Sequence, residues 1–153
     1  MVNMKISYKS LDNCSYDELF LFMKSVDGDF IPSLFQRINI EHYIKKLLEN
    51  ASIHTCRYNG EIIGMVAFYD NNITLGEAYI SYLAVGALWR KMNIASELLN
   101  MVYLTTRESM KCINVSTCNV NVVSFYERNG YIKYKEEYDL VAEKCRIYLS
   151  KKI

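Results

Sequence analysis

The segment Arg90-Lys91-Met92-Asn93-Ile94-Ala95-Ser96 puts two cations and one small residue where a loop runs into an apolar-periodic helix. The first turn of a helix leaves backbone N–H groups without intrahelical acceptors, and the macrodipole adds partial positive charge, so such a start can hold a phosphate. Arg90 and Lys91 stand where a cation would neutralise that phosphate, and Ala95 is small enough to let backbone approach it. The same spacing also fits a plain polar strand-to-helix connection. Upstream, Glu77, Tyr79 and Ser81 fall on one strand face by the period of two. The five cysteines, Cys14, Cys56, Cys112, Cys118 and Cys145, form no C-x-x-C pair and have no His at zinc-ligand spacing. They read as reduced thiols rather than a disulfide framework or a metal site.

Composition narrows the partners. With 153 residues, 51% hydrophobic and 23% charged, residues 1–153 read as one domain whose core needs neither disulfide nor metal. Eighteen Lys and Arg against 17 Asp and Glu give no basic excess to draw the chain to nucleic acid or an anionic membrane. No run approaches the ~18 apolar residues of a transmembrane helix. Met1 to Ser10 lacks the charged start and apolar run of a secretion signal, so the expected location is cytoplasmic. Thirteen tyrosines fit half-buried strand surfaces without further explanation.

The elements that must position these residues follow from pattern. Met4 to Ser10 alternates as a strand, and Ser15-Tyr16-Asp17-Glu18 is a capping box opening a helix to about Val26. Asp27-Gly28-Asp29-Phe30-Ile31-Pro32-Ser33 reads as a loop, and Asn39 caps a second helix through Leu48. Asn59-Gly60 between Ser52 to Tyr58 and Glu61 to Asp70 predicts a hairpin with a type I′ turn. Ile62 to Phe68 and Ala78 to Val85 are near-continuously apolar, as central strands are. A helix follows from Ile94, then a strand over Lys111 to Cys118, a short helix over Val122 to Asn129 closed by Gly130, and a terminal hairpin from Tyr131 to Lys152. The expected order is β-α-α-β-β-β-α-β-α-β-β. The strand-helix-strand passage from 77 to 118 implies a right-handed parallel crossover. The fold class is therefore α+β, a mixed and mostly antiparallel sheet of about seven strands with about four helices.

Tyr79 to Val85 followed by Trp89-Arg90-Lys91-Met92-Asn93-Ile94-Ala95-Ser96-Glu97-Leu98-Leu99 resembles the acetyl-CoA motif of the GNAT N-acetyltransferase superfamily, Gln/Arg-x-x-Gly-x-Gly/Ala. Arg90 fills the first position, Ala95 the last, and Asn93 stands where glycine is usual. Asn is the residue after glycine most tolerant of the left-handed region, so the loop can keep its shape. Asn119-Val120-Asn121-Val122-Val123-Ser124-Phe125-Tyr126-Glu127-Arg128-Asn129-Gly130-Tyr131 is similar to the second family motif, Asn-x-x-Ala-x-x-Phe-Tyr-Glu-x-x-Gly-Phe. The two motifs, in the family's order and spacing, extend the resemblance over about residues 3 to 150.

The resemblance implies a site. Backbone of Leu83, Ala84 and Val85 would meet pantetheine, and the loop and helix start from Arg90 through Ser96 would take the pyrophosphate. Asn119, Val122, Phe125 and Tyr126 would line the thiol end. Asn119 resembles the residue that bonds the pantetheine arm and can cap the following helix as well. Tyr126 resembles the phenol that gives a proton to the departing thiolate. On the upstream strand the family often places a carboxylate or water-holding residue, which makes Glu77 and Ser81 candidates; Glu77 also reads as a solvated strand end. Tyr79 is a poor base at neutral pH, a phenol's ordinary pKa being near 10. Cys118 lies beside this site, but the local sequence gives it no activating His, so direct transfer is expected over an acyl-enzyme. His42 and His54 read as ordinary helix-surface and strand residues.

The function implied is transfer of acetyl from acetyl-CoA to a primary amine of a small molecule, an amino sugar or amine metabolite, in a ternary complex and without a metal. Its acceptor would sit between the Asp27 to Leu34 loop and the hairpin around Leu140 to Glu143. A homodimer is left open. Asn93 and the lack of an evident base keep two alternatives in view: a non-catalytic acyl-CoA-binding or protein-interaction domain, and a protein N-terminal acetyltransferase.

Overall fold

The computed structural model describes residues 5–30 and 33–153. Met4 of the first expected strand, and Ile31 and Pro32 of the expected loop, lie outside the described residues. The order is β1 (Ile6–Lys9), α1 (Tyr16–Val26), α2 (Leu34–Arg37), α3 (Ile40–Asn50), β2 (Ser52–Tyr58), β3 (Glu61–Tyr69), β4 (Glu77–Val85), α4 (Ile94–Thr106), β5 (Cys112–Thr117), α5 (Val123–Arg128), β6 (Ile132–Asp139) and β7 (Lys144–Lys152). The strands form one seven-stranded sheet ordered β1-β2-β3-β4-β5-β7-β6. The β4–β5 pair is parallel and every other pair antiparallel. No helix among the described residues is long and apolar enough to cross a membrane.

Local chemistry accounts for most of these elements. Ser15 and Glu18 form the reciprocal capping box, each side chain taking the other's backbone N–H. Asn39 caps α3 by accepting from the His42 N–H. Asn59 and Gly60 both have positive φ, 49° and 85°, as a type I′ turn requires. Gly130, at φ 91°, ends α5 in the left-handed conformation.

One helix exceeds the expected set. Within the segment expected to be irregular, Leu34–Arg37 forms the single turn α2. Its orphan amides are taken by a carboxylate seven residues upstream: Asp27 Oδ1 accepts from the Leu34 and Phe35 N–H groups. The Ser33 hydroxyl donates to the same carboxylate. Ser33, immediately before the turn, is the local N-cap and accepts from the Gln36 N–H; the contribution of Asp27 from farther upstream is the part that sequence spacing does not signal.

Two apolar layers cover the sheet. Leu19, Met23, Ile44 and Leu47 of α1 and α3 pack on Ile53, Met65, Ala67 and Tyr82. Ile94, Leu98 and Val102 of α4, with Tyr126 of α5, pack on Val66, Phe68, Ile80, Ile113 and Leu149 on the other side. A Cβ on Gly64 would lie 3.0 Å from Ile94 Cγ2, so glycine here lets the start of α4 sit directly on β3.

Between these layers β4 changes phase. Ala67 pairs with Tyr82 and Phe68 with Ile80, so Ser81 is an extra residue, a β-bulge. Before it Ala78 and Ile80 face α4; after it Tyr82 and Ala84 face the α1 and α3 side. A bulge bends its strand, and the β4–β5 ladder ends just before it, at Tyr79 opposite Asn114. From Ile80 onward the two parallel strands have no ladder between them.

His54 is fully buried and is a structural residue, as its sequence setting suggests. Its Nδ1 accepts from the Leu11 N–H at 2.9 Å, leaving Nε2–H to donate to Thr105 Oγ1 at 2.9 Å. Burial pushes its pKa down to about 4. The folded state therefore resists a proton that the unfolded chain takes near the ordinary value of 6.5. Stability from this group is complete above that pH and is lost as pH falls from about 6.5 toward 4, at about 1.4 kcal/mol per unit. Urea unfolding between pH 7.5 and 5 should show this slope, and a folded His54→Gln protein should lack it.

Candidate active site

Where β4 and β5 part, the structure holds a cleft of about 760 Å³. Its walls are Tyr79 to Val85 of β4, Val115 to Thr117 of β5 with Cys118 and Asn119 beyond, α5 through Phe125 and Tyr126, and α2 through Leu34 and Arg37. Along Ile80–Val85 and Val115–Thr117 the facing backbone groups lack the sheet partners that the ladder gives Glu77–Tyr79. They are donors and acceptors open to a ligand that carries amides of its own.

At one end of the cleft lies the start of α4. Asn93 adopts φ 63° and ψ 17°, the left-handed conformation, so the loop keeps the shape that glycine usually provides. Lys91 is also left-handed, at φ 65°. The first intrahelical bond runs from the Glu97 N–H to the Asn93 carbonyl, so the amides of Ile94, Ala95 and Ser96 precede any intrahelical acceptor. Arg90 and Ala95 line the cleft; Lys91, Met92, Asn93, Ile94 and Ser96 form the loop and first turn around it without lining it. Arg90 is not free: it forms an exposed ion pair with Asp29 across the mouth of the cleft.

Tyr126 is 8% exposed and lines the same cleft. Its ring is held edge-on by Phe125 and Tyr131, at 5.2 and 5.6 Å between centroids. Its hydroxyl has no protein partner among the described residues. Burial raises its pKa, so Tyr126 is a neutral phenol at physiological pH, able to donate a proton and unable to serve as a base. Asn119 accepts from the Asn121 N–H at 3.0 Å, capping the turn before α5. Asn119 lines the cleft and its Nδ2 makes no hydrogen bond among the described residues, so both expected roles are compatible. Tyr82 carries a buried hydroxyl with no partner among the described residues, and it too lines the cleft.

The remaining candidates separate. Ser81 lines the cleft at the bulge, with its Oγ 2.7 Å from the Tyr43 hydroxyl. Glu77 does not join it: it is exposed at the start of β4, opposite Cys112, outside the cleft lining. Alternation places it on the right face, but the cleft opens only after Tyr79. Cys118 is buried in the wall, and desolvation raises its thiol pKa, which suits a neutral thiol rather than a nucleophile. The turn Leu140 to Glu143 does not line the cleft, whereas Arg146 and Tyr148 farther along β7 do. Sequence reading missed those two together with Arg37, Tyr43 and Ser116, which reach the cleft only through pairings and packing distant in sequence.

The family model described as the acetyltransferase (GNAT) family matches residues 17–131. No curated protein matches the chain in sequence. Among solved structures, a GNAT-family acetyltransferase from Desulfovibrio desulfuricans is 16% identical, with a TM-score of 0.78 over 97% of this chain and 99% of that one. A GNAT-family acetyltransferase from Elizabethkingia anophelis, solved with acetyl-CoA bound, is 18% identical with a TM-score of 0.71 over 97% and 98%. A chain of the NatC complex bound to Gag peptide and CoA is 21% identical with a TM-score of 0.78 over 98% and 99%. At these identities the likeness is one of fold.

Proposed function

The chain belongs to the GNAT acetyltransferase family and is an N-acetyltransferase of that family, and from that premise we propose that it moves acetyl from acetyl-CoA to the primary amine of a small molecule in a ternary complex. The observation that carries this reading is one cleft that brings together the start of α4 as an anion cradle, unpaired strand backbone and a buried neutral phenol. Acetyl-CoA fits that sequence of groups. The α4 amides with Lys91 and the Arg90 donors that the Asp29 pair leaves unused take the pyrophosphate, and the exposed backbone of Leu83, Ala84 and Val85 takes the pantetheine amides. Val122 and Phe125 pack on the arm, Asn119 donates to it, and the thioester lies toward Tyr126.

In the reaction the acceptor nitrogen attacks the thioester carbonyl carbon, and the carbon–sulfur bond breaks. Backbone N–H groups of β4 stabilise the charge that develops on the carbonyl oxygen. Tyr126 gives its hydroxyl proton to the leaving thiolate, the nitrogen's surplus proton leaves to solvent, and the tyrosinate takes a proton back from solvent, so the tyrosine is restored. A neutral Cys118 supports direct attack over an acyl-enzyme.

The test is to incubate the protein with acetyl-CoA and a panel of amines and read free thiol. Turnover with at least one small amine is expected. Binding of acetyl-CoA without turnover of any amine would make this a binding module. The panel includes peptides with free N-termini, because the NatC chain gives the peptide α-amine a specific claim as acceptor; turnover confined to peptides would favour that reading. An Ala95→Phe variant, obstructing the cradle, should lose at least about tenfold in affinity for CoA, and unchanged affinity in the folded variant would reject the cradle.

A further inference from the structure

The acceptor end of the cleft is cationic. Arg37 enters from α2 and Arg146 from β7, on the two sides of the opening between β4 and β5. Both lie close enough to Cys118 for their charge to bear on its thiol. Arg146 is held in place by its neighbours: Nε and Nη2 bond Asp139 at 2.9 and 2.8 Å, and Nη1 donates to Ser116 Oγ at 3.2 Å. Asp139 is itself fixed by the Val141 and Ala142 N–H groups. Arg37 is exposed and has no ion pair or hydrogen bond among the described residues. Among the described residues the one carboxylate in the cleft wall is Asp29, which is paired with Arg90. No His lines the cleft.

We propose that the acceptor is an amine that also carries an anionic group, a carboxylate or a phosphate, which Arg37 and Arg146 receive at the α2 and β7 end of the cleft. The inference rests on the acetyl transfer proposed above. A guanidinium presents forked donors that match both anions, and it is the side chain best suited to them. An acceptor with a second cation would instead meet Arg37 with nothing in the wall to balance it.

The experiment uses matched acceptors: an α-amino acid against its carboxamide, and phosphoethanolamine against ethanolamine. Thiol release gives kcat and KM for the wild type, Arg37→Gln and Arg37→Lys, and CoA affinity is measured directly on each. The wild type should prefer the anionic member of at least one pair by tenfold or more. Arg37→Gln, an exposed change that leaves CoA affinity unaltered, should cut that preference at least fivefold through KM, and Arg37→Lys should restore part of it. Should no pair turn over, mass-spectrometric mapping of phenylglyoxal modification at Arg37 and Arg146 replaces the rate, and the anionic member should protect them. Equal or reversed preference, by rate or by protection, overturns the inference while tight CoA binding leaves the acetyl-transfer reading standing. Loss of both CoA binding and turnover would instead remove that reading, and this one with it.

Discussion

Tyr126→Phe should lower kcat by at least about tenfold while leaving CoA affinity within a few-fold. The substitution removes one oxygen and keeps the ring, so the edge-on contacts with Phe125 and Tyr131 persist. The hydroxyl has no protein partner among the described residues, so no hydrogen bond of the folded enzyme is broken. What is lost is a proton donor aimed at a group that gains charge only as the thioester breaks. Such an interaction belongs to the transition state, so the loss should fall on kcat rather than on binding. General acid catalysis is typically worth about a hundred- to ten-thousand-fold, and water in an open cleft can recover part of it. Because burial raises the phenol's pKa, the wild type should keep its acid across neutral and mildly alkaline pH. Wild-type turnover in the folded variant, with chemistry limiting, would make Tyr126 a packing residue and leave the thiolate to take its proton from solvent.

What the sequence made legible was local. A capping box, an Asn-Gly turn, a glycine after a short helix and a loop running into an apolar helix each depend on a few consecutive residues, and each appears in the structure as expected. The departures have non-local causes. α2 has a local cap in Ser33, but the amides of Leu34 and Phe35 are taken by Asp27 from farther up the chain. Glu77, Tyr79 and Ser81 share a face as the period of two requires, but the bulge at Ser81 shifts the phase of everything after it, and the β4–β5 ladder has ended just before it. Glu77 is on the right face but lies within the paired part of β4, opposite Cys112, and so outside the cleft. Arg37 and Arg146 lie 109 positions apart by their numbering, and only the sheet order β4-β5-β7 brings them to one opening. No spacing in the chain signals that meeting.

Arg57→Met should cost about 3–5 kcal/mol of stability, a loss that falls on the fold and not on the cleft. Arg57 of β2 is 7% exposed, and its Nε and Nη1 reach Asp12 at 2.8 Å and Glu18 at 2.5 Å. Nη1 also donates to the Gly60 carbonyl at 2.6 Å. One side chain thus ties the β1–α1 connection, the first turn of α1 and the β2–β3 turn to each other. Methionine fills much of the volume but leaves the Asp12 carboxylate, whose side chain is 7% exposed, with only the Thr55 hydroxyl. The cost is mainly that stranded charge, since a buried ion is far dearer unpaired than paired. For a chain of this length the midpoint of thermal unfolding should fall by roughly 10 °C or more. Two results distinguish stranded charge from lost packing. The Arg57→Met, Asp12→Asn double variant should recover more than half of the deficit, because the asparagine carries no charge to bury. The single variant's deficit should also shrink as pH falls. Hydrogen bonds from Thr55 and Arg57 lower the Asp12 pKa against the opposing effect of burial; without the arginine the carboxyl takes a proton more readily in the folded state, which removes the unpaired ion. A deficit that is the same at pH 7 and pH 4.5, and is not reduced in the double variant, would assign the loss to packing around the guanidinium instead.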